Sequence, residues 1–135
     1  MRWEPAIGTL VKFLDFERPL NDWEKEGISH LEGSYPAVDA LASLGPRALP
    51  AVLNVMESGS TSELSRHNAM VVWMLVYRDD LPKGVAMLAK EVEKASTDAA
   101  KQRLREAVND AEKYCAPDDK AKCKAASEPR KETAQ

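Results

Sequence analysis

The chain contains an unbroken run of nine apolar residues, Ala69 to Tyr77, which any fold must bury on several sides at once. The run is less than half of the roughly 20 residues that a bilayer-spanning helix requires. Its only β-branched pair is Val71-Val72, and the flanking residues have helical spacing, which favours a helix over a buried strand. Thr61-Ser62-Glu63 supplies a capping residue ahead of it. We therefore predict a central, buried helix from about residue 61 to residue 78.

Helical periodicity continues on both sides of this run. Apolar residues recur at the i, i+3, i+4 and i+7 positions of an amphipathic helix, and glycine and proline mark the boundaries. No segment shows the alternation typical of a strand. The sequence predicts an all-α fold of about six helices, with the remaining five near residues 5–16, 35–44, 46–59, 82–95 and 96–111.

Two segments depart from this pattern. Residues 17–34 contain Pro19, Gly27 and Gly33 and few large apolar side chains, so we predict an ordered loop, a type of segment that is often functional when long. Residues 116–135 carry many charges and no large apolar side chain, which predicts a solvated tail, mostly disordered beyond Cys123 or tethered through it. The expected organisation is one helical domain over residues 1–115 followed by this tail.

The two cysteines, Cys115 and Cys123, leave two interpretations open. A zinc site needs four ligands, and His30 and His67 lie at no recognisable spacing from the thiols, so we expect no metal. The turn-rich residues between the cysteines would allow a disulfide that removes about 2–3 kcal/mol of unfolded-state entropy. Two free thiols in a reducing cytoplasm are the equal alternative. We expect a soluble protein, either cytoplasmic or exported with its signal segment missing from this chain.

The charge balance narrows the class of partner. The net charge is -3 at pH 7, with 19 basic and 22 acidic side chains. A general nucleic-acid binder neutralises phosphates with a basic face, and an anionic membrane surface attracts basic segments. We therefore expect no nucleic-acid partner and no membrane insertion.

One layout of helix, turn and helix recurs along the chain. Leu41, Pro46, Leu49 and Leu53 are matched 36 residues later by Tyr77, Pro82, Val85 and Ala89. Repeats of two helices near this period are typical of α-solenoids, in which neighbouring helical pairs bury one another's inner faces.

Residues 35–53 carry a more specific likeness. They read Tyr-Pro-Ala-Val-Asp-Ala-Leu-Ala-Ser-Leu-Gly-Pro-Arg-Ala-Leu-Pro-Ala-Val-Leu, with alanine and leucine at fixed steps, a Leu-Gly turn and Pro50 inside the second helix. The segment resembles a HEAT-like repeat of the armadillo type, and the likeness extends to residue 57 and, in weaker form, over residues 62–95. It implies a short right-handed stack of antiparallel helical pairs and a binding scaffold, with no chemistry of its own.

Candidate binding residues come from three places. The second helices of such pairs commonly line a concave face, which would present Arg47, Asn54, Lys83 and Lys90. The 17–34 loop offers Trp23 and His30. Arg66 and His67 form a polar cluster near the start of the central helix.

Catalytic motifs are missing from the sequence. The scattered glycines form no phosphate-binding loop, and Ser65 and His67 point to different faces of one helix, so they cannot act as nucleophile and base. We expect no cofactor and a non-enzymatic scaffold that binds a protein or peptide through its mixed-charge concave face or the 17–34 loop. The alternative is a small helical ligand carrier or lyase-like enzyme with a pocket near that loop, lined by Trp23, His30 or Tyr35.

Overall fold

The computed structural model describes residues 4–17 and 35–128. These residues form helices and no strand, which confirms the all-α prediction for this part of the chain. The α-helices are α1 (Glu4–Val11), α2 (Pro36–Ser43), α3 (Leu49–Glu57), α4 (Glu63–Val76), α5 (Leu81–Lys94), α6 (Asp98–Glu112) and α7 (Lys120–Ser127). Short 3-10 helices occupy Gly45–Ala48 and Pro117–Asp119. Helices α2 to α6 match segments predicted above.

Three of the helices begin at a side chain that caps the first turn. Ser62, Asp80 and Thr97 each accept a hydrogen bond from the backbone N–H three residues ahead, at the starts of α4, α5 and α6. Such a cap satisfies an N–H group that has no partner within the helix and contributes about 1 kcal/mol. The capping residue predicted within Thr61-Ser62-Glu63 is thus Ser62, at the observed start of α4.

The turn between α2 and α3 depends on Gly45. Its φ of 71° lies in the left-handed region, and it has the only positive φ among the described residues. Pro46 follows it in the 3-10 helix, and Pro50 falls in the first turn of α3, where its missing N–H costs nothing. Pro50 thus lies inside the second helix of the repeat-like segment, as predicted, and within its first turn.

Helix α1 is shorter than the segment 5–16 that its periodicity predicts. After Val11 the backbone bonds reach three residues back instead of four, as in the bond from the Lys12 N–H to the Thr9 oxygen. The carbonyl oxygen of Leu14 then accepts a 2.7 Å hydrogen bond from the buried amide of Asn68 on α4. A tertiary contact thus holds residues 12–15 in a turn where local pattern alone favoured more helix.

Helix α4 lies at the centre of the described structure. Every residue from Asn68 to Met74 is buried, and α4 contacts α2, α3, α5 and α6. The indole N–H of Trp73 donates a 2.9 Å hydrogen bond to the Gly84 oxygen of α5, so this polar group is satisfied inside the core. The central, buried helix expected from the apolar run is confirmed.

The helix–turn–helix layout that recurs after 36 residues predicts that α2 pairs with α3 and that α4 pairs with α5. The observed helix contacts do not follow this pairing. In the structure the more extensive contacts join α3 to α4, α2 to α4, and α5 to both α6 and α7, while α6 also reaches α3. The stack of antiparallel pairs therefore stays a prediction.

The C-terminal part differs from the disordered form of the predicted tail and has the tethered form, held through Cys123. Residues 117–127 are helical, and α7 contacts α5 and α6, with Cys123 fully buried in the same core cluster as α4. A disulfide joins Cys123 to Cys115, with 6.7 Å between the Cα atoms. This link is the physical reason for the difference, because a segment without large apolar residues is held against the core by a covalent bond. Residues 129–135 lie outside the described part.

Helices α4 and α5 approach each other closely at Gly84. A Cβ atom there would lie 2.8 Å from Cβ of Tyr77 and 3.3 Å from Sδ of Met74. The Tyr77 ring sits beside Trp73, with 5.8 Å between ring centroids. Burial, and secondarily the carboxylate of Glu91, raise the pKa of Tyr77 above its ordinary value of 10.0. This corner therefore leaves no room for a side chain at position 84.

We predict that Gly84→Ala destabilises the protein by about 1–3 kcal/mol, because the new methyl group meets a Cβ atom fixed to the backbone. Gly8→Ala is the matched control, since Gly8 also lies within a helix and a Cβ there meets nothing within 4 Å. That control should be neutral or stabilising by up to about 1 kcal/mol through helix propensity. Urea unfolding of the two variants and the parent measures both effects. Equal stability of the Gly84 variant and the parent would contradict the close approach.

Candidate functional site

The sequence-predicted binding residues are dispersed over the described surface. Arg47 lies in the 3-10 helix, Asn54 on α3, and Lys83 and Lys90 on α5, and all four are exposed. Since α5 makes its main contacts with α6 and α7 and not with α3, these residues do not line one common cavity. Trp23 and His30 lie outside the described residues.

Arg66 and His67 do share a cavity. They line a cleft of about 250 Å³ between α3, α4 and α6, whose floor includes the buried side chains of Met56 and Met70. Arg103 of α6 lines the same cleft, and three carboxylates complete its wall: Glu63, Glu106 and Asp110. The cleft therefore combines an apolar floor with side chains of both charges.

Both arginines of this cleft bind backbone carbonyls where α3 ends. Nε of Arg103 donates a 2.7 Å hydrogen bond to the Glu57 oxygen, and Nη1 of Arg66 donates to the oxygens of Ser58 and Thr61. The last carbonyls of a helix carry partial negative charge and have no partner within the helix, so a guanidinium group stabilises them. Arg66, a predicted binding residue, thus holds the loop between α3 and α4.

His67 lies beside an aromatic residue, Tyr114. Its Nε2 lies 3.4 Å from the hydroxyl oxygen of Tyr114, near the outer limit of a hydrogen bond, and the ring centroids are 6.5 Å apart. A nucleophilic mechanism would need a hydroxyl or thiol activated by the histidine. The contact shown is a polar pairing between α4 and the residues that follow α6.

A second cavity lies between α5, α6 and α7. This groove, which we name the α7 groove, has a volume of about 420 Å³. Its apolar part comes from Ala89 and Val92 of α5 and Val108 of α6. The polar lining residues are Glu93, Arg105, Asn109, Glu112, Lys124, Ser127 and Glu128. Three carboxylates and two cations therefore surround an apolar strip.

Sequence reasoning missed the α7 groove because one of its walls was expected to be a disordered tail. Lys124, Ser127 and Glu128 form that wall. None of these three residues is apolar or belongs to a catalytic motif, so none of them indicates a cavity by itself. The available signal was the pair Cys115 and Cys123, since a disulfide at that spacing brings the following residues back against α6.

Comparisons with known proteins add no family to this description. No protein-family model, curated protein or solved structure matches the chain. Within residues 4–17 and 35–128, no helix is both long enough and apolar enough to cross a membrane. Over the same ranges, no three side chains of histidine, cysteine, aspartate or glutamate are grouped so that they could hold a metal ion.

We predict that Arg103→Met lowers the free energy of unfolding by about 1.5–3 kcal/mol, because the Glu57 carbonyl loses a charged donor. Arg105→Met is the matched control, two residues away on the same helix, where the exposed side chain has a surface position. Its effect should stay within about 0.5 kcal/mol. Thermal and urea unfolding followed by circular dichroism measure both variants. Equal losses of unfolding free energy in the two variants would contradict a specific stabilising role for the Arg103–Glu57 hydrogen bond.

Proposed function

We propose that the protein is a non-enzymatic scaffold that binds a peptide segment of a partner protein in the α7 groove. The observation that carries the proposal is the composition of the groove: an apolar strip from α5 and α6 between charged residues of both signs. Apolar contacts supply binding free energy, whereas charges at the rim select the partner and fix its register.

The arrangement of charge supports a peptide over a polyanion. Glu93, Glu112 and Glu128 surround the groove together with Arg105 and Lys124. Their summed charge is negative, as is the net charge of -3 for the chain, and both oppose a nucleic acid. A peptide can place its own charges against each of these side chains.

The likeness of residues 35–57 to HEAT-like repeats supports the same class of function. It implies a stack of antiparallel helical pairs, and such repeats usually serve as binding scaffolds. One wall of the α7 groove comes from α5. Arg47, Asn54, Lys83 and Lys90 are dispersed, exposed polar residues outside the groove, and the peptide need not touch them.

A random peptide library displayed on phage and selected on the full, disulfide-bonded chain tests the proposal. Selected peptides would be synthesised with a fluorophore, and their Kd would be measured by fluorescence anisotropy. We expect peptides that combine apolar and charged residues. Failure to select any peptide with measurable affinity would overturn the proposed function.

The position of the site is tested by filling the groove. We predict that Ala89→Trp weakens binding of a selected peptide by roughly tenfold or more, because the indole would occupy the apolar strip. Ala99→Trp is the matched control on the exposed first turn of α6, which does not line the groove, and it should leave the Kd unchanged. Circular dichroism of both variants reports whether the helices are retained. Peptides that bind the Ala89 variant as tightly as the parent would place their site elsewhere.

A further inference from the structure

We infer that the Cys115–Cys123 disulfide is a redox latch that holds α7 against α5 and α6, so that a thiol reductant opens the α7 groove. The role of the groove in binding rests on the proposed function, whereas the latch rests on the structure of α7 alone. Three features of α7 carry the inference: its length, its first turn and its contribution to the core.

Helix α7 is too short to persist without help. It has eight residues, and isolated helices below about 12–15 residues are marginal in water even when rich in alanine. Its first turn contains Lys120 and Lys122 and no acidic residue, so these two cations offset the favourable effect of Asp118 and Asp119 on the helix dipole. The cap residue Asp119 makes no side-chain capping bond, unlike Ser62, Asp80 and Thr97 at the starts of α4, α5 and α6.

The disulfide supplies the main buried group of α7. Cys123 is its one buried residue, with Ala126 partly buried beside the core. Lys120 adds contacts at the limit of hydrogen bonding, with Nζ 3.5 Å from the carbonyl oxygens of Glu112 and Lys113. Once the bond between the two cysteines is broken, α7 keeps its packing on α5 and α6, but Ala126 and the reduced Cys123 are the only side chains of α7 in or against the apolar core.

Opening the latch would remove one wall of the groove. Lys124, Ser127 and Glu128 belong to α7 and the residue after it, whereas the rest of the lining belongs to α5 and α6. The remaining buried core residues all precede α7 in the chain and include every buried residue of α4. Release of α7 should therefore leave the other helices in place.

The chemistry requires a dithiol reductant, either a small molecule or a thiol–disulfide oxidoreductase. A thiolate of the reductant attacks one cysteine sulfur, the Cys115–Cys123 bond breaks, and the other cysteine leaves as a thiolate that takes up a proton. The second thiol of the reductant loses its proton and resolves the mixed disulfide. Two electrons pass to the protein, which gains two thiols, and the reductant becomes a disulfide. Because Cys115 and Cys123 are 4% and 0% exposed, the attack follows a local opening of α7.

Hydrogen–deuterium exchange of the full chain, with and without dithiothreitol, tests the latch without any ligand. We expect the amides of residues 120–127 to exchange about 30-fold or more faster in the reduced protein, while those of α4 keep their protection. Mass spectrometry after alkylation confirms that two thiols have formed. Unchanged protection of α7 would overturn the inference, and so would an equal loss of protection in α4, which would make the disulfide a support of the whole fold.

The double variant Cys115→Ala/Cys123→Ala provides the second measurement. We expect its α7 amides to exchange as in the reduced parent and to ignore dithiothreitol. Lys122→Ala, which keeps the disulfide and changes an exposed residue of α7, is the control and should retain protection. If the double variant fails to fold, the reduced parent still decides the question. Rapid exchange of α7 in the reduced protein, without peptide binding to the oxidised one, would refute the proposed function and leave the latch standing.

Discussion

The rest of the structure depends on the burial of α4, which the surrounding helices cover on all sides. Seven consecutive residues, Asn68 to Met74, are excluded from water, so helices must cover every face of this segment. Complete burial of a large apolar side chain contributes about 1.5–3 kcal/mol, so the apolar residues of this run stabilise the fold substantially. Helices α2, α3, α5 and α6 all contact α4.

Two buried polar side chains of α4 fix the positions of neighbouring segments along it through hydrogen bonds. The Asn68 amide binds the Leu14 oxygen, and the Trp73 indole binds the Gly84 oxygen. Leaving either buried group without a partner would cost about 1–3 kcal/mol, so sliding α5 or the residues after α1 along α4 is penalised. Apolar contacts tolerate small shifts more readily than these bonds do. The core therefore derives its stability from apolar area and its register from two hydrogen bonds.

The sequence predicts well the features that depend on residues close together in the chain. It predicts less well the features that depend on contacts between distant residues. Ser62 and Thr97 mark helix starts because their side chains bond within one turn, and the run from Ala69 to Tyr77 indicates burial from its own composition. Periodicity tells which face of a helix is buried but not which helix covers it, so the predicted pairing of α2 with α3 differs from the observed contacts. The same reason explains Arg66, whose carbonyl partners at Ser58 and Thr61 cannot be read from charge alone.

The helices of this protein are stabilised in two different ways, and the α7 groove lies where they meet. Helix α5 is held by apolar burial and a capping side chain, and it contributes Val85 and Leu88 to the core. Helix α7 contributes Cys123 and is tied by a covalent bond whose stability depends on redox conditions. Segments that open at low free energy are those from which binding surfaces and switches are drawn. The two proposals, peptide binding in the groove and a redox latch on α7, therefore concern the same wall, which a disulfide holds against α5 and α6.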